Sequence, residues 1–162
     1  MLDYRQRVRD LENFNDAFEL VKAAVYEKFK MRRAGLNLVL QDMPSFIGAY
    51  HVMGTNSIVV NRHILAAIKA LAKSREEYNS YLFVVLSHEY LHSLGIVDEH
   101  RVRELTYDVC NSLLGEAHVA TKMARTDPSS LYPELKNLAI ERFGADFELI
   151  KDFDKSNLSY IA

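Results

Sequence analysis

One short segment of the chain contains residues whose types and spacing could bind a metal ion and activate water. Residues 87–95 read Ser-His-Glu-Tyr-Leu-His-Ser-Leu-Gly, so that His88 and His92 stand four positions apart and Glu89 follows the first histidine. Residues four apart lie on one face of a helix, which allows two imidazoles to reach one metal ion while the glutamate leans toward its open side. We therefore predict a catalytic Zn²⁺ site with His88 and His92 as ligands and Glu89 as general base.

The alternative is an accidental match on a solvated helix, because three fixed residue types in five positions recur by chance. The neighbouring residues argue against this alternative. They include the apolar side chains Val84, Val85, Leu86, Leu91 and Leu94. Histidine and glutamate are seldom placed in such surroundings without partners, so the context favours a metal site.

A zinc site of this kind needs a third protein ligand, and the positions after Gly95 offer four. Gly95 allows the backbone to turn with positive φ, so that a residue three positions beyond it can return to the metal from outside the helix. Asp98 is therefore the first choice, and the alternatives are Glu99, His100 and Glu104. Asp98 could instead serve only as the N-cap of the following helix.

The extended pattern from His88 to Asp98 resembles the zinc-binding motif of the metzincin metallopeptidases, where a third histidine usually stands in place of the aspartate. Some bacterial members carry aspartate there. Metzincins also have a methionine turn after the motif, whereas Met123 of this chain lies in a segment that is predicted to be helical. The resemblance implies a zinc-dependent metallopeptidase, a hydrolase that acts on a peptide or protein substrate.

The motif is also similar to that of the gluzincin metallopeptidases, a group that includes very small archaeal members. Their last zinc ligand is a glutamate on the helix after the motif. This second resemblance would make Glu99 or Glu104 the third ligand of this chain.

Residues 48–115 resemble the bacterial rRNA-maturation endoribonuclease family in the order of elements and in the pattern His-x-x-Leu-His-x-Leu-Gly. In that family the third metal histidine falls at the position of Asp98, and glycine replaces Glu89. The glutamate favours peptidase chemistry, so a metal-dependent endoribonuclease is the second functional prediction. The third is a non-catalytic domain in which zinc with four protein ligands only staples the fold.

The composition indicates one domain over residues 1–162, because 162 residues with 49% hydrophobic content suffice for one core and are too few to expect two. The net charge of −2, with both signs mixed along the chain, gives no global attraction to nucleic acid or membranes. Without a leader or a run of 18 apolar residues, we expect a cytoplasmic protein. The only cysteine, Cys110, is expected to be a buried, inert thiol.

The elements that must position the motif predict an α+β fold. An amphipathic pattern from Tyr4 to Phe29 predicts one long opening helix, with Gly35 as its C-terminal stop. Residues 36–40 and 47–61, broken at Gly54, predict a small sheet. We expect a compact zincin-like domain, in which this sheet packs on the active-site helix between the N-terminal helix and a C-terminal helical cap.

Further helices are predicted over residues 63–71, after the capping box of Ser74 and Glu77, from Asp98 to Gly115, and over residues 117–125 and 129–143. The helix after the capping box carries the motif. A C-terminal tail, Ser156–Ala162, could inhibit the enzyme by pairing with the sheet edge, although a frayed terminus is the simpler interpretation.

Several other residues were candidates for a place at the site. Strand Ser57–Asn61, flanked by His51 and His63, could be the edge strand that binds an extended substrate. His118 could donate a hydrogen bond at the site, and Tyr90 could polarise a scissile carbonyl, although both could simply pack. A basic helix end complements the helix dipole and is the best local argument for RNA; it consists of Lys28, Lys30, Arg32 and Arg33.

Overall fold

The computed structural model describes residues 2–138, 143–144, 146–151 and 153–154, which form an α+β domain. Two helices precede three consecutive strands in the first half, and the second half of the described chain is mainly helical. The helices are α1 (Tyr4–Asp10), α2 (Phe14–Phe29), α3 (Arg62–Leu71), α4 (Arg75–Ser93), α5 (Glu99–Leu114) and α6 (Val119–Arg125). The strands are β1 (Asn37–Gln41), β2 (Ala49–His51), β3 (Ser57–Asn61) and β4 (Phe147–Ile150).

The prediction of a single opening helix was wrong, because the chain forms the two helices α1 and α2 instead. Asn13 is the N-cap of α2, and its side-chain oxygen accepts a hydrogen bond from the backbone N–H of Asp16 at 2.8 Å. Asparagine stabilises a helix start better than a helix interior, which explains the break. The second helix ends at Phe29, before the predicted stop at Gly35, because Lys30 takes the left-handed conformation with φ 57°.

The predicted small sheet is present and has four strands in the order β2-β3-β1-β4. The hairpin around Gly54 pairs β2 with β3 in antiparallel fashion, whereas β1 and β3 are parallel. Strand β3 is therefore paired on both sides, which corrects the prediction that Ser57–Asn61 is the edge strand. The edge strand that contacts the motif helix is β2.

Helix α4, which carries the motif, lies at the centre of the molecule and packs on α1, α2, α5, α6 and β2. The predicted capping box begins it: the backbone N–H of Glu77 donates to Ser74 Oγ at 3.1 Å, and the carboxylate of Glu77 accepts from the backbone N–H of Lys73 at 3.1 Å. Only the first turn of α4 is largely accessible to solvent. Most residues from Asn79 to Ser93 are buried, which fixes the orientation of the motif.

The C-terminal part departs from the predicted helical cap. Residues 128–138 form two short 3-10 helices, Pro128–Leu131 and Pro133–Leu138, instead of the start of a helix over 129–143. Proline cannot donate a backbone hydrogen bond, so Pro133 interrupts a continuous helix. Strand β4 was not predicted, and the tail Ser156–Ala162 lies outside the described residues.

Two further expectations concern single features. Cys110 is fully buried, and burial raises the pKa of its thiol to about 12, in agreement with an unreactive side chain. Among the helices that the structure describes, none combines the length and the apolar character needed to span a membrane.

Candidate metal centre

Three side chains from two helices converge at the C-terminal end of α4. His88 Nε2 lies 2.8 Å from Glu99 Oε1, and His92 Nε2 lies 2.8 Å from Glu99 Oε2. One donor atom of each residue lies within 4.8 Å of those of the other two. One carboxylate therefore faces both imidazoles of the motif.

The sequence brings these side chains together through helical spacing and one turn. His88 and His92 are one turn apart on α4, and their ring centroids are 5.0 Å apart. The helix ends next to Gly95, whose φ of 103° is open to glycine without strain. After this turn Asp98 is the N-cap of α5. Glu99, the first residue of that helix, lies over the two histidines.

Asp98, the first choice for the third ligand, is not one of the three converging residues. Its carboxylate accepts a hydrogen bond from the backbone N–H of His100 at 3.0 Å and serves as the N-cap of α5. The other two alternatives also lie elsewhere, because His100 Nε2 pairs with Glu104 Oε1 at 2.9 Å on the exposed face of α5. The structure thus brings Glu99 to the histidines.

The ring of His92 has the orientation that metal ligands commonly show. Its Nδ1 lies 2.8 Å from the carbonyl oxygen of Ile96, which can only accept, so Nδ1 carries the hydrogen. Ligating histidines usually donate their second ring N–H to a carbonyl or carboxylate, which fixes the tautomer. Nε2 is therefore the atom that His92 presents to Glu99 and to a metal ion.

The protonation of the cluster also suits metal binding. Burial lowers the pKa of His88, although the charge of Glu99 opposes this effect. Burial would raise the pKa of Glu99, but the two histidines outweigh burial and lower it. A lowered pKa favours the neutral imidazole of His88 and the carboxylate of Glu99, which are the forms that bind zinc.

Glu89 lies beside the cluster, is 4% exposed and lines the same cavity. Burial raises the pKa of its carboxyl group to about 7. None of the described residues donates a hydrogen bond to it. A buried carboxyl group without a protein donor is costly unless water or a ligand satisfies it, so the arrangement suits a group that exchanges protons with water.

The cluster opens into a cavity of about 610 Å³ between α4, α5 and β2. Three exposed apolar side chains from separate loops, Phe46, Met53 and Val97, line it together with strand β2. Arg103 on α5 also lines this cavity. Arg103 was not among the residues predicted from the sequence, although its position four residues after Glu99 places both on one helix face.

The remaining candidate residues have other roles. His51 lines the cavity, but its Nδ1 contacts the carbonyl oxygen of Ser57 at 2.9 Å. His63 lies 3.3 Å from Asp42 on the far side of the sheet hairpin, and His118 caps α6 near Glu76. Glu76 is twelve residues before His88, about 18 Å along the axis of α4, so His118 lies far from the cluster.

Tyr90 and Arg33, the last residue of the basic helix end, contact each other away from the cavity. The hydroxyl group of Tyr90 accepts a hydrogen bond from the backbone N–H of Arg33 at 2.9 Å. The guanidinium of Arg33 donates to the carbonyl oxygens of Ser93 and Thr55 at 2.7 and 3.0 Å. Arg33 therefore ties the end of the motif helix to the hairpin between β2 and β3.

Comparison with known proteins identified no matching family model, no matching curated protein and no matching solved structure. The functional argument therefore rests on the geometry of this chain.

Proposed function

We propose that the protein is a zinc-dependent metallopeptidase in which His88, His92 and Glu99 hold the metal ion. The observation that carries this proposal is the position of Glu89, a buried carboxyl group that has no hydrogen-bond donor among the described residues and lies beside a cluster of three metal-binding groups. Three protein ligands leave a fourth tetrahedral position for water, as catalytic zinc sites do. A glutamate as third ligand on the helix after the motif agrees with the resemblance to gluzincins.

In this mechanism a zinc ion held by these three residues would act as a Lewis acid and lower the pKa of a water molecule. Glu89 would take a proton from that water as the water oxygen adds to the scissile carbonyl carbon. The same carboxyl group would then give this proton to the amide nitrogen as the C–N bond breaks, which releases the amine and the carboxylic acid. Burial raises the pKa of the Glu89 carboxyl group, which favours its acceptance of a proton.

A peptide substrate is supported by the edge of the sheet beside the cavity. Strand β2 pairs with β3 through Ala49, Tyr50 and His51, and on its other side it lines the cavity. An extended peptide can add to such an edge through backbone hydrogen bonds. The scissile bond would then lie between β2 and the cluster on α4.

The endoribonuclease alternative has less support from the cavity. Among its described lining residues Arg103 is the only lysine or arginine, whereas Glu89, Glu99 and Asp127 are acidic. Binding of nucleic acid depends on neutralising phosphates with several basic side chains. The alternative of a purely structural zinc would require a fourth protein ligand, and the cluster of described residues has three.

The test is to incubate the zinc-loaded protein with a peptide library and to identify cleavage products by mass spectrometry. Glu89→Gln should keep its zinc and lower the cleavage rate by about 10²–10⁴, because it removes the base and not a ligand. Glu104→Gln on the exposed face of α5 is the matched control and should cleave normally. Equal activity of Glu89→Gln would contradict the mechanism, and cleavage of RNA alone would favour the nuclease.

A further inference from the structure

We propose that Arg103 is a catalytic residue that binds the oxygen of the scissile carbonyl as negative charge develops on it. The inference rests on the proposed peptidase function and assigns a residue that the metal-binding motif does not contain. Its basis is the position of a cationic side chain beside the cluster of His88, His92 and Glu99.

The geometry places the guanidinium of Arg103 next to the reacting region. Arg103 follows Glu99 by one turn of α5, and its Nε lies 3.7 Å from Glu99 Oε1, the oxygen that contacts His88 at 2.8 Å. The side chain is 55% exposed and lines the cavity. It makes no hydrogen bond with the described residues, so its N–H groups can turn toward a substrate.

Peptide hydrolysis creates a need for such a group. When the oxygen of water adds to the carbonyl carbon, one of its protons passes to Glu89 and the π electron pair moves onto the carbonyl oxygen. A hydrogen-bond donor or cation placed at that oxygen stabilises the transition state more than the ground state. The guanidinium offers up to two parallel N–H donors and remains charged at any working pH.

Other side chains of the cavity fit this role less well. His51 directs its Nδ1 hydrogen to the carbonyl oxygen of Ser57, so its Nε2 has a lone pair and no hydrogen in the neutral ring. Tyr81 lines the cavity but stands seven residues before His88, about 10 Å along α4. Tyr50 is the competing donor and enters the test.

The experiment compares Arg103→Gln with Arg101→Gln, an arginine on the same helix that pairs with Glu104 and does not line the cavity. We expect Arg103→Gln to lower kcat by about 10²–10³ with little change in KM, as removal of one oxyanion donor does. Arg101→Gln should match the unsubstituted protein. Zinc content, measured by elemental analysis, should be unchanged in both variants.

A second readout is the dissociation constant of a phosphinic peptide, a stable mimic of the tetrahedral transition state, measured by calorimetry. Arg103→Gln should weaken binding of the phosphinic peptide by the same factor by which it lowers kcat. Unchanged kcat, a loss of zinc that parallels the loss of activity, or a loss of kcat in Tyr50→Phe instead would each overturn the assignment. Zinc-loaded protein that neither cleaves peptides nor binds the phosphinic peptide would overturn the proposed function itself.

Discussion

The Nδ1 of His92 donates a hydrogen bond of 2.8 Å to the carbonyl oxygen of Ile96, across the turn at Gly95. This bond joins the end of the motif helix to the loop that leads into α5. It fixes both the tautomer of the ring and the path of the chain toward Glu99. The third metal-binding group is thus positioned by the same loop that orients the second histidine.

The first prediction concerns the third ligand. Glu99→Ala should lower the affinity for zinc by more than about tenfold, because a residue that binds the metal directly contributes at least as much as the groups that orient it. His88→Ala and His92→Ala should also lose the metal. Asp98→Ala is the matched control, and elemental analysis after dialysis against buffered zinc gives the occupancy of each variant. Zinc retained in Glu99→Ala but lost in Asp98→Ala would restore Asp98 as the ligand.

A second prediction follows from the N-cap of α5. Asp98→Ala should lower the free energy of unfolding by about 1 kcal/mol, because the backbone N–H of His100 loses its acceptor. Asp98→Asn keeps an acceptor and should be close to the unsubstituted protein. Urea unfolding in the presence of a chelator measures both without a contribution from zinc. Equal stability of Asp98→Ala would mean that the cap is unimportant.

The third prediction is a pH dependence that arises from His118. Burial lowers the pKa of this imidazole. The negative charge of Glu76 raises it by less, and the positive charges of Arg5 and Arg9 lower it further. Its Nδ1 accepts the backbone N–H of Ala120 at 3.0 Å, and a proton on Nδ1 would remove this cap.

The sign follows from linkage. Because the folded-state pKa lies below the unfolded value of about 6.5, the unfolded chain binds more protons at acidic pH, and the free energy of unfolding falls as the pH drops through that value. His118→Asn caps the helix without titrating near pH 6. Urea unfolding between pH 8 and pH 5 should therefore show a smaller acid-induced loss in this variant. Parallel pH profiles would exclude His118 as a source of the dependence.

The fourth prediction concerns the buried ion pair of Lys22 and Asp154. The ammonium group lies 2.6 Å from Asp154 Oδ1, and Oδ2 accepts hydrogen bonds from the backbone N–H groups of Gly35 and Leu36. Asp154→Ala should lower the free energy of unfolding by about 3–5 kcal/mol, because Lys22 loses its buried partner and the two backbone N–H groups lose their acceptor.

Glu19 provides the control for this pair, since it contacts the same lysine at 3.1 Å but is 34% exposed. Glu19→Ala should cost less than about 1 kcal/mol, as exposed ion pairs do. Denaturant unfolding of both variants gives the comparison. A similar, small loss in the two variants would show that Asp154 does not hold the start of β1 in place.

Local features were read correctly from the sequence because their causes lie within a few residues. The capping box at Ser74, the turn at Gly95 and the hairpin around Gly54 depend on side-chain acceptors and on backbone freedom at single positions. The α+β class followed from the periods of the apolar residues. At Asn13 the local signals compete, and the apolar residues of α1 and α2 continue at steps of three and four across the break, which hid it.

Features that depend on distant pairing could not be read in this way. Strand β4 has only four residues, most of them exposed, and it forms by pairing with β1 more than a hundred residues earlier. The position of β3 inside the sheet likewise depends on its parallel pairing with β1. The order of the strands depends on long-range backbone pairing, which a local pattern does not encode.

The sequence by itself determined that His88 and His92 share one helix face with Glu89 beside them, because helical geometry fixes residues four apart. Only the tertiary structure decided which carboxylate meets the two imidazoles. Asp98 turns back to the first turn of its own helix, and the packing of α5 against α4 brings Glu99 over the histidines. The difference of one residue depends on how two helices pack, which is a contact between elements and not a property of either one.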